Sequence, residues 1–158
     1  MTDTSSAAGE RPFSGVRTIQ VTFDCAEPGR LAEFWCHALG YRMDRPPQGF
    51  ATWPEALAAW GIAESQWDAR SACSDPAGVG PRLFFQRVPE GKQVKNRVHL
   101  DVRAAPGLTG DARRSAILAE SERLVAHGGS RLRTLEADGI DEFLVVMADP
   151  EGNEFCLD

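Results

Sequence analysis

Two stretches of the chain alternate apolar and polar side chains with a period of two. Residues 19–25 read Ile-Gln-Val-Thr-Phe-Asp-Cys, and residues 97–103 read Arg-Val-His-Leu-Asp-Val-Arg. Such alternation is typical of a strand that buries one face of a sheet and leaves the other face polar. Gln20 and His99 occupy matching places on the two polar faces. The sequence therefore predicts two equivalent strands, with the chemistry of the chain between them.

The elements that follow each strand also recur in the same order. An amphipathic helix is predicted at 28–39, with a proline in its first turn and a glycine after its end, and a second helix at 111–127. An Asp-Pro-x-Gly turn comes later in each half, at 75–78 and at 149–152. This repetition predicts an α+β chain built from two modules of the strand–helix–strands type.

The less regular segments complete this prediction. Short strands are expected at 50–53, 82–88, 142–147 and 154–157, and a short helix at 54–60. We place the two modules at 16–90 and 95–158, within a single domain that covers 16–158. Residues 1–15 are small and polar, which predicts a flexible N-terminal tail.

Composition and charge narrow the classes of partner. The chain has 158 residues, a formal net charge of −6 and a pI near 5.1. An acidic surface argues against nucleic acid or an anionic membrane as the partner, because both attract basic proteins. No apolar run approaches the roughly 18 residues of a membrane span, and no secretion signal is recognised, so we expect a cytoplasmic protein. The four cysteines form no CxxC pair, which argues against a structural zinc knuckle.

His99 is the first candidate for a catalytic or binding role. An imidazole acts as a metal ligand or a general base near neutral pH, or else it simply bonds to a neighbour on its strand. Asp101 shares the polar face with His99 and either contacts a ligand or pairs with a nearby arginine. On the last predicted strand, Glu154 and Cys156 share one face and offer a carboxylate and a thiol.

Three tryptophans, Trp53, Trp60 and Trp67, recur at every seventh residue. Pro54 and Gly61 interrupt any single helix through them, so the spacing does not predict a continuous aromatic stripe. Two of the three are expected to pack in the core. The third, which we take to be Trp53, is expected at the mouth of the cleft, where it would bind a flat or cationic ligand by stacking.

The order and spacing of these motifs resemble the vicinal oxygen chelate superfamily. The resemblance is carried by the Leu-Ala-Glu-Phe-Trp run at 31–35, the Leu-Gly-Tyr end of the first helix at 39–41 and the Asp-Pro-Glu-Gly-Asn turn at 149–153. Residues 83–90 and 95–101 are similar to the bacterial glyoxalase-like domain proteins of the glyoxalase, bleomycin resistance and dioxygenase type. The similarity covers nearly everything after the N-terminal tail.

This resemblance implies two βαβββ modules whose sheets form a curled, partly open barrel with the helices outside. In metal-dependent members, the first and last strands of each module supply the ligands. Carried over position by position, these are Gln20 and His99 on the first strands and Cys156 on the last strand of the second module. Glu154 supplies the carboxylate if the register is shifted. The first module offers no carboxylate in 83–86, its corresponding stretch.

The cleft between the modules is the expected place of function. Its ligand candidates are Gln20, Thr22, Gln86, Asp101 and Trp53. We expect a glyoxalase-like protein that binds a small organic molecule there, with or without a metal. Two alternatives stay open. One is a lyase, isomerase or dioxygenase that depends on divalent zinc, nickel, manganese or iron. The other is a non-catalytic protein that sequesters an antibiotic, as bleomycin resistance proteins do. Members of the superfamily often pair, so a homodimer is a further expectation.

Overall fold

Two four-stranded mixed sheets form the framework of the protein, in a computed structural model that describes residues 17–139 and 142–158. Module 1 consists of β1 (Gln20–Cys25), α1 (Pro28–Leu39), β2 (Arg42–Met43), α2 (Trp53–Ala59), a 3-10 helix (Glu64–Gln66), β3 (Arg70–Ser74) and β4 (Arg82–Arg87). Module 2 consists of β5 (Asp101–Val102), α3 (Gly110–Ala126), β6 (Ser130–Leu135), β7 (Leu144–Ala148) and β8 (Glu154–Leu157). The predicted tail at 1–15 lies outside the described residues.

The two sheets have the same topology. Their strand orders are β1-β4-β3-β2 and β5-β8-β7-β6. In each sheet the opening strand pairs in parallel with the closing strand, and the other neighbours are antiparallel. The predicted α+β class and the two repeated βαβββ modules are therefore confirmed, with two separate sheets that do not close into a barrel. The module limits at 16–90 and 95–158 stay predictions.

Helix α1 joins the two modules through an aromatic core. The helix starts with Pro28 and ends before Gly40, which takes the left-handed conformation with φ 69°. Its apolar stripe is buried, and Phe34 and Trp35 contact Phe155 of β8 with ring centroids 5.8 and 5.2 Å apart. One continuous cluster of buried side chains therefore includes residues of both sheets.

A turn at 149–153 of module 2, with Asp149 buried at its start, connects the two modules, and we call it the inter-module turn. Asp149 is only 3% exposed, and its carboxylate accepts hydrogen bonds from the indole Nε1 of Trp35 (3.2 Å) and from the backbone N–H of Glu151 and Asn153 (3.0 and 2.9 Å). Burial raises the pKa of Asp149 although these donors oppose the shift. The turn that we predicted from sequence is thus also a contact between modules.

The same turn caps helix α1. The carboxylate of Glu151 accepts hydrogen bonds from the backbone N–H groups of Ala26 and Glu27, at 2.7 and 2.8 Å. Glu27 is the N-cap residue and Ala26 precedes it, so neither N–H has a partner within the helix, and a negative charge beside the first turn is favourable. Module 2 therefore provides the cap that helix α1 of module 1 lacks at its own N-cap side chain.

The opening strand of module 2 is shorter than predicted. Only Asp101–Val102 pairs with β8, whereas we expected a strand over 97–103. The closing strand begins at Glu154, and the N–H of Glu154 bonds to the side chain of Asn96 (3.2 Å) rather than to a continuing strand. Val98 is 78% exposed, so our prediction that it lies on the buried face is wrong.

The strand expected at 50–53 is also wrong. Thr52 is instead the N-cap of α2, where its hydroxyl accepts a hydrogen bond from the backbone N–H of Glu55 (3.3 Å) and the Glu55 carboxylate reaches back to the N–H of Thr52 (3.3 Å). This reciprocal capping box starts a helix within the segment that we expected to be a strand. Within the described residues, no helix is both long and apolar enough to cross a bilayer.

The Trp35–Asp149 hydrogen bond predicts a pH-dependent loss of stability in Trp35→Phe. Removing the indole N–H leaves the buried carboxylate with one donor fewer, which we expect to lower the free energy of unfolding by about 1–3 kcal/mol at pH 7. The folded-state pKa of Asp149 is raised, so the cost of its buried charge is present at pH 7 and disappears as the pH falls and the group is protonated. Urea unfolding at pH 7 and pH 4 should show a smaller loss at pH 4.

Trp60→Phe is the matched control, because Trp60 is 54% exposed. We expect it to change the free energy of unfolding by less than about 0.5 kcal/mol at either pH. An equal loss in Trp35→Phe at both pH values would indicate a packing defect alone and contradict the role of the hydrogen bond.

Candidate ligand site

A cavity of about 340 Å³ lies between the two modules. Its walls come from residues 21–24 of β1, from the segment at 90–100 that leads into β5, and from the inter-module turn. Trp35 of α1 also lines it. The cavity is found where β1, an edge strand of the first sheet, faces the irregular segment that precedes the second sheet. The repeated modules predicted that the functional site lies at this position, between the two opening strands.

His99 stands on the wall of this cavity beside Asp101 and Cys156. The Nδ1 atom of His99 is 3.1 Å from the Oδ1 atom of Asp101 and 3.9 Å from the Sγ atom of Cys156. A carboxylate at Nδ1 favours the tautomer with its proton on that nitrogen, which leaves Nε2 with a lone pair. A backbone hydrogen bond keeps the segment of His99 and Asp101 beside Cys156, because the carbonyl of Leu100 accepts it from the N–H of Cys156 (2.9 Å).

The thiol of Cys156 is protonated at neutral pH. Burial, together with the negative charge of Asp101, raises the pKa of Cys156 to about 11. One ligand atom from each of His99, Asp101 and Cys156 lies within 4.8 Å of the others. Imidazole, carboxylate and thiol are all metal-binding groups, and the thiol loses its proton when it ligates.

Glu154 lies on the cavity wall but is paired with a lysine. Its carboxylate forms an ion pair with Lys95. The hydrogen bond from Lys95 lowers the pKa of Glu154, and the charges of Arg133 and Lys92 add to this effect. Glu154 is thus an ionised group held by a cation of the loop, and it is separate from the three donors around His99.

Gln20 lies in a polar network of module 1 that differs from the environment of His99. Its side-chain oxygen accepts a hydrogen bond from Nη1 of Arg82 (2.6 Å), and Nε of Arg82 bonds to Asp44 (2.7 Å). Asp44 also accepts a bond from the hydroxyl of Ser74 (2.7 Å). A fixed guanidinium at the Gln20 oxygen repels a cation. Gln20 therefore does not suit a metal ligand in this arrangement, and the first module adds no carboxylate to the set.

The remaining predicted residues are distributed over module 1. Thr22 lines the cavity. Gln86 stands behind the wall, where its Nε2 donates to the carboxylate of Asp24 (2.8 Å), which itself lines the cavity. Trp53 starts helix α2, and its indole donates to the carbonyl of Asp44 (3.0 Å); it is not part of the cavity wall.

The expectation that two of the three tryptophans pack in the core is wrong. Trp53 and Trp60 are 40% and 54% exposed, and their ring centroids are 6.4 Å apart. The indole of Trp67 donates to the carbonyl of Ile62 (2.9 Å), which secures the loop after α2. The capping box at the start of α2 explains this outcome, because it orients a short helix whose only buried residue is Ala56.

Sequence reasoning missed several residues of the cavity wall. Asp24 was placed on the polar face of the first strand but not singled out. Glu151 and Asn153 were assigned to a turn, and Glu90 to the end of the first module. Trp35 was assigned to the helix stripe. The alternating pattern predicted on which face of the first strand Asp24 lies. The positions of the other residues on the cavity wall depend on how the modules pack together.

The comparisons with known proteins agree with this architecture. A model of the glyoxalase-like domain family matches residues 20–157. No curated protein is significantly similar to the chain in sequence. Many solved structures are similar in fold, and three of them illustrate the likeness. The first is a glyoxalase/bleomycin resistance protein/dioxygenase family enzyme from Burkholderia phytofirmans, 12% identical with a TM-score of 0.55, covering 87% of this chain and 94% of that one.

The second structure is the fosfomycin resistance protein FosX from Listeria monocytogenes, a mutant in complex with Mn(II) and 1S,2S-dihydroxypropylphosphonic acid. It is 10% identical with a TM-score of 0.55, and the match covers 92% of this chain and 89% of that one. The third is a glyoxalase-related enzyme from Fulvimarina pelagi, 17% identical with a TM-score of 0.54, covering 90% of this chain and 87% of that one. At these identities the likeness concerns the fold.

Proposed function

The chain belongs to the glyoxalase-like domain family, and on this premise we propose that it binds a small organic molecule in the cavity between its two modules. The observation that supports this proposal is the cavity itself. Its volume of about 340 Å³ lies at the lower end of the range of about 300–1,000 Å³ for small-molecule pockets. The family match over 20–157 also supports our placing of a single domain at 16–158.

His99 is the residue that we propose for polar contact with the ligand. It lines the cavity, and its Nδ1 is held by Asp101 at 3.1 Å. The free Nε2 can accept a hydrogen bond from a ligand hydroxyl or amine, or take a proton from an acidic ligand group. The same arrangement makes His99 the general base of this site if the bound molecule is transformed.

A fragment screen tests this proposal with His99→Phe, which keeps a ring of similar size but removes both nitrogens. We expect fragments with a hydrogen-bond donor to shift the backbone amide signals of Thr22, His99 and Asn153 in NMR spectra. In His99→Phe their affinity should fall about tenfold or more, which corresponds to about 1.4 kcal/mol.

Trp53→Phe is the control for this screen, because Trp53 is partly exposed but lies outside the cavity wall. It should leave the affinities unchanged. Fragments that shift only the signals around α2, or that bind His99→Phe as tightly as the wild type, would count against the proposed site.

A divalent metal at His99, Asp101 and Cys156 is a second candidate function, favoured by the proximity of their ligand atoms within 4.8 Å. This donor set fits zinc better than manganese, because a thiol favours the softer ion. A bound ion would supply Lewis-acid polarisation of a ligand oxygen. The three side chains would hold it, and the Cys156 proton would be released, since the pKa of that thiol is about 11 without metal.

Calorimetry and elemental analysis distinguish this set from the positions that the resemblance assigned. After soaking with zinc, nickel, cobalt, manganese or iron(II), we expect zinc to bind at about one equivalent and to release a proton. His99→Ala and Cys156→Ser should lose the metal, and Gln20→Ala should retain it because Gln20 bonds to Arg82. Loss in Gln20→Ala with retention in Cys156→Ser would contradict this donor set, and no metal in any soak would remove the candidate function.

A further inference from the structure

The walls of the cavity carry an excess of negative charge. Four of the residues that line it are carboxylates, namely Asp24, Glu90, Glu151 and Glu154, and the lysine among them is Lys92. These residues come from both modules and from the segment between them. The excess of carboxylates is therefore a property of the assembled cavity rather than of one stretch of sequence.

Two of the four carboxylates are compensated by local partners. Glu154 is paired with Lys95, and Glu151 accepts two backbone hydrogen bonds at the N-terminus of α1. The ammonium group of Lys92 donates a hydrogen bond to the carbonyl of Val94. These groups leave little net charge at their own end of the cavity.

Asp24 and Glu90 have no charged partner among residues 17–139 and 142–158. Asp24 accepts a hydrogen bond from the neutral amide of Gln86 (2.8 Å), which orients its carboxylate without neutralising it. Glu90 is exposed and forms no ion pair or hydrogen bond with any residue in 17–139 or 142–158. The oriented carboxylate of Asp24 and the unpaired carboxylate of Glu90 therefore line the same cavity. A ligand cation there would form an ion pair with them.

The apolar part of the wall suits the hydrocarbon portion of such a ligand. Phe23 lines the cavity and packs on Trp35, which is only 1% exposed, with ring centroids 5.1 Å apart and an interplanar angle of 40°. Phe23 is only half-buried, so part of its ring is accessible. Aromatic rings attract organic cations through their electron-rich faces as well as through apolar contact.

We propose that the ligand of this cavity is a small organic cation, an amine or quaternary ammonium that carries an apolar or aromatic group. Asp24 and Glu90 contact the cationic head, and the accessible part of the Phe23 ring, supported from behind by Trp35, contacts the apolar group. This inference rests on the proposed function, because it assigns a charge and a shape to the molecule that the cavity binds.

Three probes of similar size and different charge test the sign of the preference. They are 2-phenylethylamine, 2-phenylethanol and 3-phenylpropanoate, each titrated into the full chain at pH 7 with NMR detection. We expect the amine to bind about tenfold or more tightly than the carboxylate and to shift the amide signals of Asp24 and His99. The preference should shrink as the salt concentration rises, because exposed charges are screened.

The variants Asp24→Asn and Glu90→Gln test which groups carry the preference. Each should weaken binding of the amine about threefold to tenfold and leave binding of the alcohol unchanged, and the double variant should lose the preference for the cation. Glu64→Gln is the matched control, since Glu64 is an exposed carboxylate outside the cavity wall. Thermal unfolding of each variant verifies that it is folded.

The outcomes separate this inference from the proposed function. If the alcohol or the carboxylate binds in the cavity as tightly as the amine, the inference is overturned and the binding function stands. A preference for the amine that survives in the double variant also overturns it. If no probe binds while the fragment screen gives ligands in the cavity, the cationic class is wrong. If neither gives a ligand there, both proposals fall.

Discussion

The hydrogen bond between the indole of Trp35 and the buried carboxylate of Asp149 fixes how the two modules lie against each other. A buried carboxylate is tolerated only when its oxygens are satisfied, so Trp35 and the backbone of the inter-module turn must meet in one arrangement. That arrangement also places Glu151 at the start of α1 and Asn153 on the cavity wall. The geometry of the candidate site thus depends on a contact whose own role is structural.

Much of the fold could be predicted because its signal is local and occurs twice. The helix at 28–39 was predicted to within its observed limits, since the apolar period, the proline and the glycine are all in the sequence. The strand predicted at 97–103 is mostly absent for a non-local reason. Its partner β8 starts only at Glu154, so the first residues of 97–103 have no strand to pair with. Strand β3 was not predicted, since Arg70–Ser74 is short and has no strong β-forming residue.

The candidate site was harder to predict, because its properties depend on partners distant in sequence. Alternation placed His99 and Asp101 on one face, and the structure brings their side chains together with Cys156. Nothing in the sequence shows that the oxygen of Gln20 bonds to Arg82, 62 residues away. The charge of the cavity is likewise a sum over segments that each look like an ordinary turn or linker.

The cap that Glu151 provides for helix α1 has a consequence for how the repeat can change during evolution. A duplicated module starts as a unit that can pair with a copy of itself, and its two copies are then free to diverge. Here the first copy relies on the second for the N-terminus of its helix and for Phe155 in its core. A substitution at Glu151 therefore acts on the helix of the other copy, so the two copies no longer diverge independently at this position.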